Sequence, residues 1–156
     1  MNYIPAQKPF AEGKTVKEAI VASIFPRFLM PNKAISGGVE NMKDYAGIQL
    51  GKGTSMDIGQ IGEAYANYGI YGGIVFMFLL GLLLNWVLNF IEKKQLRYPD
   101  LIFWMPFIFL QIVKAESSLV TILNHLVKAS IIVWALYTPL GQRVINYLMG
   151  IIPSKK

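Results

Sequence analysis

One uninterrupted apolar run constrains this chain more than any other feature of its sequence. Residues 69–91, GIYGGIVFMFLLGLLLNWVLNFI, are 23 consecutive positions without a charged side chain. At about 1.5 Å per residue, a helix of this length reaches about 35 Å, enough to cross a hydrocarbon layer of about 30 Å with some tilt. The run is internal and too long for a signal peptide. We therefore predict a transmembrane helix here.

The composition agrees with a membrane protein. Of 156 residues, 54% are hydrophobic and only 15% are charged, where an ordinary globular domain carries about 25% charged residues. This balance excludes a disordered chain and disfavours a freely soluble domain. The sequence has no cysteine and one histidine, His125, which leaves almost no ligands for zinc. We expect neither a metal nor another cofactor.

Two further apolar stretches, residues 101–115 and 118–140, follow the first run. The fold class predicted is therefore an all-α polytopic integral membrane protein with about three transmembrane helices, at 69–91, 101–115 and 118–140. Residues 1–68 hold seven basic and six acidic residues, four prolines and eight glycines. We expect them to form an external, loop-rich segment that contains short amphipathic helices.

Local signals place two short helices inside this segment. Thr15 and Glu18 have the spacing of a capping box, which predicts that a helix begins at Thr15. Asp57 is suited to cap a second helix that runs through Tyr68 and ends at Gly69.

Basic residues predict the orientation in the membrane. Lys93, Lys94 and Arg97 lie in the short loop after the first run, which places that loop in the cytoplasm. With three crossings, the basic carboxy-terminal tail is cytoplasmic too, lying along the interface as a helix. Residues 1–68 and the turn at 114–118, KAESS, then share the outer face.

A first candidate site is the loop PRFLMPNK, which starts at Pro26. Its two prolines stiffen the loop, and its cations, Arg27 and Lys33, are six residues apart. An arginine fork and a lysine point charge suit a phosphate or diphosphate. Contact with lipid headgroups would use the same residues, so both interpretations stay open.

A second candidate is GEAYANYG, which leads directly into the first predicted span. Glu63 and Asn67 are four residues apart and share a helix face. A carboxylate just outside a span, its pKa raised by partial burial, is suited to act as a general base. Equally, Glu63 is suited to cap a helix or form a salt bridge. For the tyrosines, including Tyr65, an interfacial aromatic belt is the favoured interpretation.

Polar residues inside the later spans form a third candidate. Lys114, His125 and Lys128 recur at helical spacing. An ionisable residue within a span costs about 2.5–3.5 kcal/mol on insertion scales, so it should face protein or a water-filled cavity. Lys114 is suited to pair locally with Glu116. Lys128 needs an anionic partner, either a substrate phosphate or a carboxylate on helices outside this chain.

Taken together, these motifs resemble those of bacterial oligosaccharide repeat-unit polymerases, the O-antigen and exopolysaccharide polymerases of the Wzy-like class. The family pattern resembles P-R-x-L-W-P-x-K-P, then G-E-x-Y-x-N-F-G, then a span and a basic residue before a serine pair. The chain departs from this pattern at Met30, Ala34 and Lys114. The matching positions are Pro26, Arg27, Leu29, Pro31, Lys33, Gly62, Glu63, Tyr65, Asn67, Gly69, Ser117 and Ser118.

The resemblance implies metal-independent glycosyl transfer at the outer face of the bacterial cytoplasmic membrane. The donor would be a growing glycan on undecaprenyl diphosphate, and the acceptor a single lipid-linked repeat unit. By the same resemblance, Arg27 and Lys33 hold the donor diphosphate and Glu63 is the catalytic base. The remaining expected substrate-binding residues are Tyr65, Asn67, Lys114, His125 and Lys128.

Family members of this kind are longer, so the resemblance suggests the carboxy-terminal portion of a larger polymerase. Its partners would then be the lipid-linked oligosaccharide, membrane lipids and the remaining transmembrane helices of the polymerase or a partner subunit, with no nucleic acid. The alternative is a non-catalytic small membrane subunit of a bacterial envelope complex. A transporter fragment would explain Lys128 but not the two outer motifs.

Overall fold

The computed structural model of the chain describes residues 3–25, 38–51, 53–54 and 56–148. Within these residues the fold is all-helical, as predicted, and contains no β-strand. Short π-helical and 3₁₀ turns connect the α-helices at Met42–Ala46 and Pro99–Trp104. The α-helices are α1 (Lys14–Ile24), α2 (Val39–Asn41), α3 (Gly59–Gln95), α4 (Met105–Phe109), α5 (Leu119–Leu136) and α6 (Pro139–Leu148).

The longest helix, α3, is broken at Gly69. This glycine has φ 68° and ψ −164°, a backbone conformation that a residue with a side chain rarely adopts. The break divides α3 into a short helix that carries GEAYANY and a longer one that carries the uncharged run. Both the predicted end of the short helix at Gly69 and the predicted long apolar helix are confirmed.

Two helices of the described residues, α3 and α5, are long and apolar enough to cross a membrane. The third predicted span, 101–115, does not form a single long helix. Its residues lie instead in the 3₁₀ turn, in the five-residue helix α4 and in the turns that follow. Pro106 lacks an N–H group and permits only a helix start at this point. With about 1.5–2.0 Å per residue, Pro99–Phe109 reaches only about 20 Å.

The amino-terminal segment packs on the apolar helices rather than standing apart from them. Ala19 and Ala22 of α1 share one buried cluster with Leu80 of α3 and with Leu119 and Leu123 of α5. A second cluster lies toward the other end of α3 and α5, where Ile91, Leu101, Ile108, Leu126, Ala129 and Val133 meet. The first of these clusters positions the candidate site.

The predicted capping box on α1 is wrong. The helix begins after Gly13, whose φ is 83°, and no side chain caps it. Thr15 is already the second residue of the helix and is buried against Asn67. Glu18 is exposed and lies 4.0 Å from Lys14. A tertiary partner 52 positions away has taken the hydroxyl group that the local pattern assigned to a cap.

Much of α3 beyond Gly69 is exposed although it is apolar. Of its most apolar stretch of 18 residues, only 11% is buried within the chain. An apolar surface of this kind requires lipid or other protein to cover it. The amphipathic tail helix α6 also exposes large side chains, namely Leu140, Val144 and Tyr147.

Candidate functional site

GEAYANYG forms the first part of α3 and lies where α3 meets α1 and the start of α5. Glu63 and Asn67 face into this junction, and each is only 1% exposed. Their spacing of four residues places them one above the other on a helix. The predicted shared face therefore exists, and it points into the protein.

Glu63 connects two helices through its carboxylate. Its Oε2 accepts a hydrogen bond of 2.8 Å from the backbone N–H of Leu119, the first residue of α5. The amino terminus of a helix carries partial positive charge and unpaired N–H groups, so a carboxylate is stabilising there. The sequence left open whether Glu63 is a base or a helix cap, and the observed bond is that of a cap.

Asn67 fixes the next turn of the same face. Its Nδ2 donates to the Thr15 hydroxyl and to the Glu63 carbonyl, both at 2.7 Å. The backbone contributes two more bonds, since the carbonyls of Ala66 and Asn67 accept from the N–H groups of Ala11 and Glu12 at 2.9 and 3.1 Å. The end of the short helix is thereby bound to the start of α1.

Two acceptor atoms in this junction lack a hydrogen bond from the described residues. They are Glu63 Oε1 and Asn67 Oδ1, and both are buried. A buried polar atom without a partner costs about 1–3 kcal/mol, and such atoms in native proteins call for an explanation. The junction thus offers two open acceptors to a group that can donate hydrogen bonds.

Burial has the largest effect on the pKa of Glu63. This residue precedes Gly69 and so lies outside the uncharged run. Loss of solvation raises the pKa of the Glu63 carboxyl above its usual 4.5, whereas the hydrogen bond from Leu119 N–H and the nearby Thr15 hydroxyl lower it. The net direction is upward. The pKa of a base that must work near neutral pH is shifted in this direction.

The turn KAESS packs directly against the start of α3. A Cβ atom on Gly59, whose φ is 71°, would lie only 2.4 Å from the Ala115 carbonyl oxygen. Gln60 Nε2 donates to the Ile112 carbonyl at 3.2 Å. Ser118 caps α5, accepting from Thr121 N–H at 3.4 Å. GEAYANYG and KAESS are therefore neighbours in space.

The two lysines of the third candidate site, Lys114 and Lys128, are not part of this junction. Lys114 is exposed, and among the described residues no carboxylate lies within 4.0 Å of it, so the suggested pair with Glu116 is not formed. Lys128 is likewise exposed and without a carboxylate at that distance. It lies nine residues beyond Leu119, or about 14 Å along α5.

His125 is half-buried and bonded to backbone. Its Nε2 lies 2.7 Å from the Phe107 carbonyl oxygen, so this nitrogen carries the proton. The ring also contacts the Phe107 ring edge-on at 5.5 Å. These contacts bind α4 to α5 and are those of a structural histidine.

Tyr65 lies on the opposite side of the short helix and is half-buried. It lines a cavity of about 160 Å³ with two other tyrosines, Tyr3 and Tyr45. Its hydroxyl donates to the Ile4 carbonyl at 3.1 Å, and Phe10 packs edge-on against its ring. Tyr68 and Tyr71, by contrast, are exposed, and an aromatic belt formed by the tyrosines stays a prediction.

Two of the predicted site residues, Arg27 and Lys33, lie outside the described residues. Thr15, Tyr3 and Tyr45 were not predicted as site residues, because no local spacing links them to GEAYANYG. In the described part of the chain, no three His, Cys, Asp or Glu side chains are grouped so as to hold a metal ion.

Across residues 3–25, 38–51, 53–54 and 56–148, fold and junction together define an all-helical protein with two membrane-length apolar helices and a buried polar cluster beside them. A family model described as O-antigen polysaccharide polymerase Wzy matches residues 43–148. This match covers more than half of the chain, and the chain therefore belongs to that family, as its motifs predicted. The matched region includes GEAYANYG and KAESS but begins after Lys33. No curated protein and no solved structure matches the chain.

Proposed function

We propose that this chain takes part in joining lipid-linked oligosaccharide repeat units into a surface polysaccharide. The observation that carries the proposal is the buried junction of GEAYANYG with the start of α5, since it brings two family motifs together around one carboxyl group. Membership of an O-antigen polymerase family supports the same role.

The reaction class is glycosyl transfer from a lipid diphosphate. A hydroxyl oxygen of the acceptor sugar bonds to the anomeric carbon of the donor, and the bond from that carbon to the diphosphate oxygen breaks. The electron pair leaves with the diphosphate, and the hydroxyl proton goes to a base. Arg27 and Lys33 are our proposed ligands of the diphosphate, where they would stabilise the charge that develops on the leaving group.

Glu63 is our proposed base. Its Oε1 has no hydrogen bond from the described residues, and burial raises the pKa of its carboxyl. The bond to Leu119 occupies Oε2 and orients the group. Because Glu63 is 1% exposed, proton transfer requires the acceptor hydroxyl to enter the junction.

Tyr65 belongs to the proposed sugar-binding surface. Sugar rings present C–H groups with partial positive charge, and these pack against the negative face of aromatic rings. The cavity that Tyr65 shares with Tyr3 and Tyr45 combines aromatic faces with hydroxyl groups. Asn67, with an open Oδ1, is proposed to accept a hydrogen bond from the acceptor sugar.

The proposed contacts to the lipid carrier are the exposed cations. Lys114 and Lys128 have no carboxylate partner among the described residues and are free to meet a phosphate. His125, which lies on α5 with Lys128, is proposed to bind the lipid carrier as well. The proposed location is the bacterial inner membrane, with residues 1–68 outside and the carboxy terminus in the cytoplasm.

A loss-of-function variant tests this proposal. Arg27→Ala, expressed from the native gene in its own host, should abolish the polymer while single repeat units still reach the cell surface. The matched control is Arg143→Ala, which removes an exposed arginine from α6. A normal chain-length ladder from the Arg27→Ala strain would refute the diphosphate role.

The alternative, a non-catalytic subunit of an envelope complex, rests on one observation, the use of the Glu63 carboxylate as a helix cap. In that case Glu63 serves only to hold α3 and α5 together. Glu63→Gln separates the two roles, because the amide can still accept the hydrogen bond from Leu119 N–H but cannot act as a base.

A further inference from the structure

A second cavity lies at the far end of α3 and α5 from the junction. It has a volume of about 230 Å³ and is bounded by the end of α3, the 3₁₀ turn and the end of α5. Buried apolar side chains form its floor, among them Leu101, Ile108 and Val133. Apolar walls offer few hydrogen bonds to water, so this space suits hydrocarbon.

The lining of this basic-end cavity also contains two exposed cations, Lys94 and Arg97. Lys94 Nζ lies 5.7 Å from the centre of the Phe90 ring, and the Arg97 guanidinium lies 5.6 Å from that of Tyr98. Phe90 and Tyr98 both line the cavity too. Cation–π contacts at this distance keep the charges beside the apolar space.

These two charges are not neutralised within the described chain. No carboxylate of the described residues lies within 4.0 Å of Lys94 or Arg97. The nearby Asp100 forms no ion pair with either cation and instead accepts a hydrogen bond of 2.5 Å from the hydroxyl of Tyr137. The cavity therefore combines an apolar interior with an unpaired cationic edge.

We propose that the basic-end cavity binds one molecule of an anionic phospholipid. An acyl chain would occupy the apolar interior, and the phosphodiester would contact Lys94 and Arg97. Basic pockets between membrane helices recognise anionic headgroups in this way. A zwitterionic phospholipid would fill the same space but would bring its own positive charge to the two cations. This site is separate from the junction and does not depend on the proposed reaction.

Trp134 provides a reporter of lipid at this site, because it lines the cavity and is itself exposed. The full chain, with Trp86→Phe and Trp104→Phe, is reconstituted in mixed bilayers of phosphatidylcholine and phosphatidylglycerol. One of the two lipids carries brominated acyl chains, which quench tryptophan fluorescence on contact. A reference chain keeps only Trp86, which is exposed on α3 and does not line the cavity.

Brominated phosphatidylglycerol should quench Trp134 with a preference of roughly thirtyfold over brominated phosphatidylcholine. This estimate takes about 1 kcal/mol for each of two basic residues near a membrane surface and tenfold per 1.4 kcal/mol. Lys94→Gln and Arg97→Gln should each lower the preference about fivefold. The matched control is Lys93→Gln, at an exposed lysine outside the cavity, and it should leave the preference unchanged.

Three results would overturn the proposal. Equal quenching by both lipids would mean that the headgroup is not recognised. An equal loss in all three variants would mean that the general surface charge, and no site, attracts the lipid. Quenching of Trp86 but not of Trp134 would mean that protein rather than lipid fills the cavity. The substituted lysines and arginine are exposed, so the variants should retain the helical circular dichroism of the parent chain.

Discussion

Replacing Glu63 by glutamine changes one oxygen of the buried carboxyl group into an amide nitrogen and separates the two roles considered for this residue. The glutamine oxygen can still accept the hydrogen bond from Leu119 N–H, which is 2.8 Å long in the native chain. The amide cannot take up a proton at physiological pH. Glu63→Gln therefore preserves the cap and removes the base.

The expected change in stability is small. A hydrogen bond to a charged group contributes about 1.5–3 kcal/mol and a neutral one about 0.5–1.5 kcal/mol, so weakening the Leu119 bond costs about 1 kcal/mol. The neutral amide also avoids the desolvation of a buried carboxylate, which offsets part of that loss. We expect the unfolding free energy to change by no more than about 1 kcal/mol at neutral pH.

The expected change in activity is much larger if Glu63 is the base. Loss of a positioned general base lowers a reaction rate by about 10²–10⁴-fold. The assay is polymer formation in cells, read as the length ladder of the surface polysaccharide, together with turnover of purified lipid-linked repeat units. Glu18→Gln is the control, since Glu18 is exposed on α1.

The pH dependence of stability provides an independent measurement. Because the pKa of Glu63 is raised in the folded chain, the folded state binds the proton more tightly than the unfolded state. The contribution of Glu63 to the free energy of unfolding is therefore fully present below its ordinary pKa of about 4.5. This contribution is lost as the pH rises through the pKa of Glu63 in the folded chain. Glu63→Gln should remove this slope.

Full polymer synthesis by a folded Glu63→Gln chain would refute the role of Glu63 as a base and leave only its role as a helix cap. A Glu63→Gln chain that fails to fold would refute the argument that the amide oxygen replaces the carboxylate. Glu63→Ala completes the series, because it leaves the Leu119 N–H unpaired and should cost about 1–3 kcal/mol for that group alone.

Three further predictions concern the junction and the orientation of the chain. Gly59→Ala should reduce stability and polymer yield together, because a Cβ atom there would lie 2.4 Å from a backbone oxygen; wild-type thermal stability would contradict this close contact. Thr15→Val should destabilise the chain by about 1–3 kcal/mol, since the buried Asn67 amide loses an acceptor; thermal unfolding beside Thr15→Ser, which keeps the hydroxyl, measures it. The chain has no cysteine, so Lys33→Cys should react with an impermeant thiol reagent from outside and Lys93→Cys should not; the reverse pattern would invert the predicted orientation.

Local patterns in the sequence predicted the apolar helix and its break but not the helix caps, since neither Thr15 nor Asp57 caps the helix that it was predicted to cap. The absence of charge from 69–91 identified the long apolar helix, and Gly69 identified the break before it. The same approach failed at 101–115, where average hydropathy favoured a span but Pro106 and the polar turn after it interrupt the helix. Mean hydropathy does not count the backbone hydrogen bonds that a proline removes.

The candidate site was only partly predictable for a different reason. The spacing of Glu63 and Asn67 predicted their shared face, but no local pattern contains the partner of either side chain. Leu119 is 56 positions from Glu63 and Thr15 is 52 positions from Asn67. Such partners are set by the packing of α1 and α5 on α3, so a single sequence predicts which residues are polar and inward but not what they bind.

The contrast in burial between α3 and α5 bears on what covers each helix in a membrane. Only 11% of the apolar stretch of α3 is buried within the chain, compared with 39% for α5. The part of α3 after Gly69 has no charge up to Ile91, so it can partition into lipid unaided. Lys128 makes placement of α5 in hydrocarbon costlier. We therefore expect lipid to cover more of α3, whereas α5 depends more on its protein neighbours.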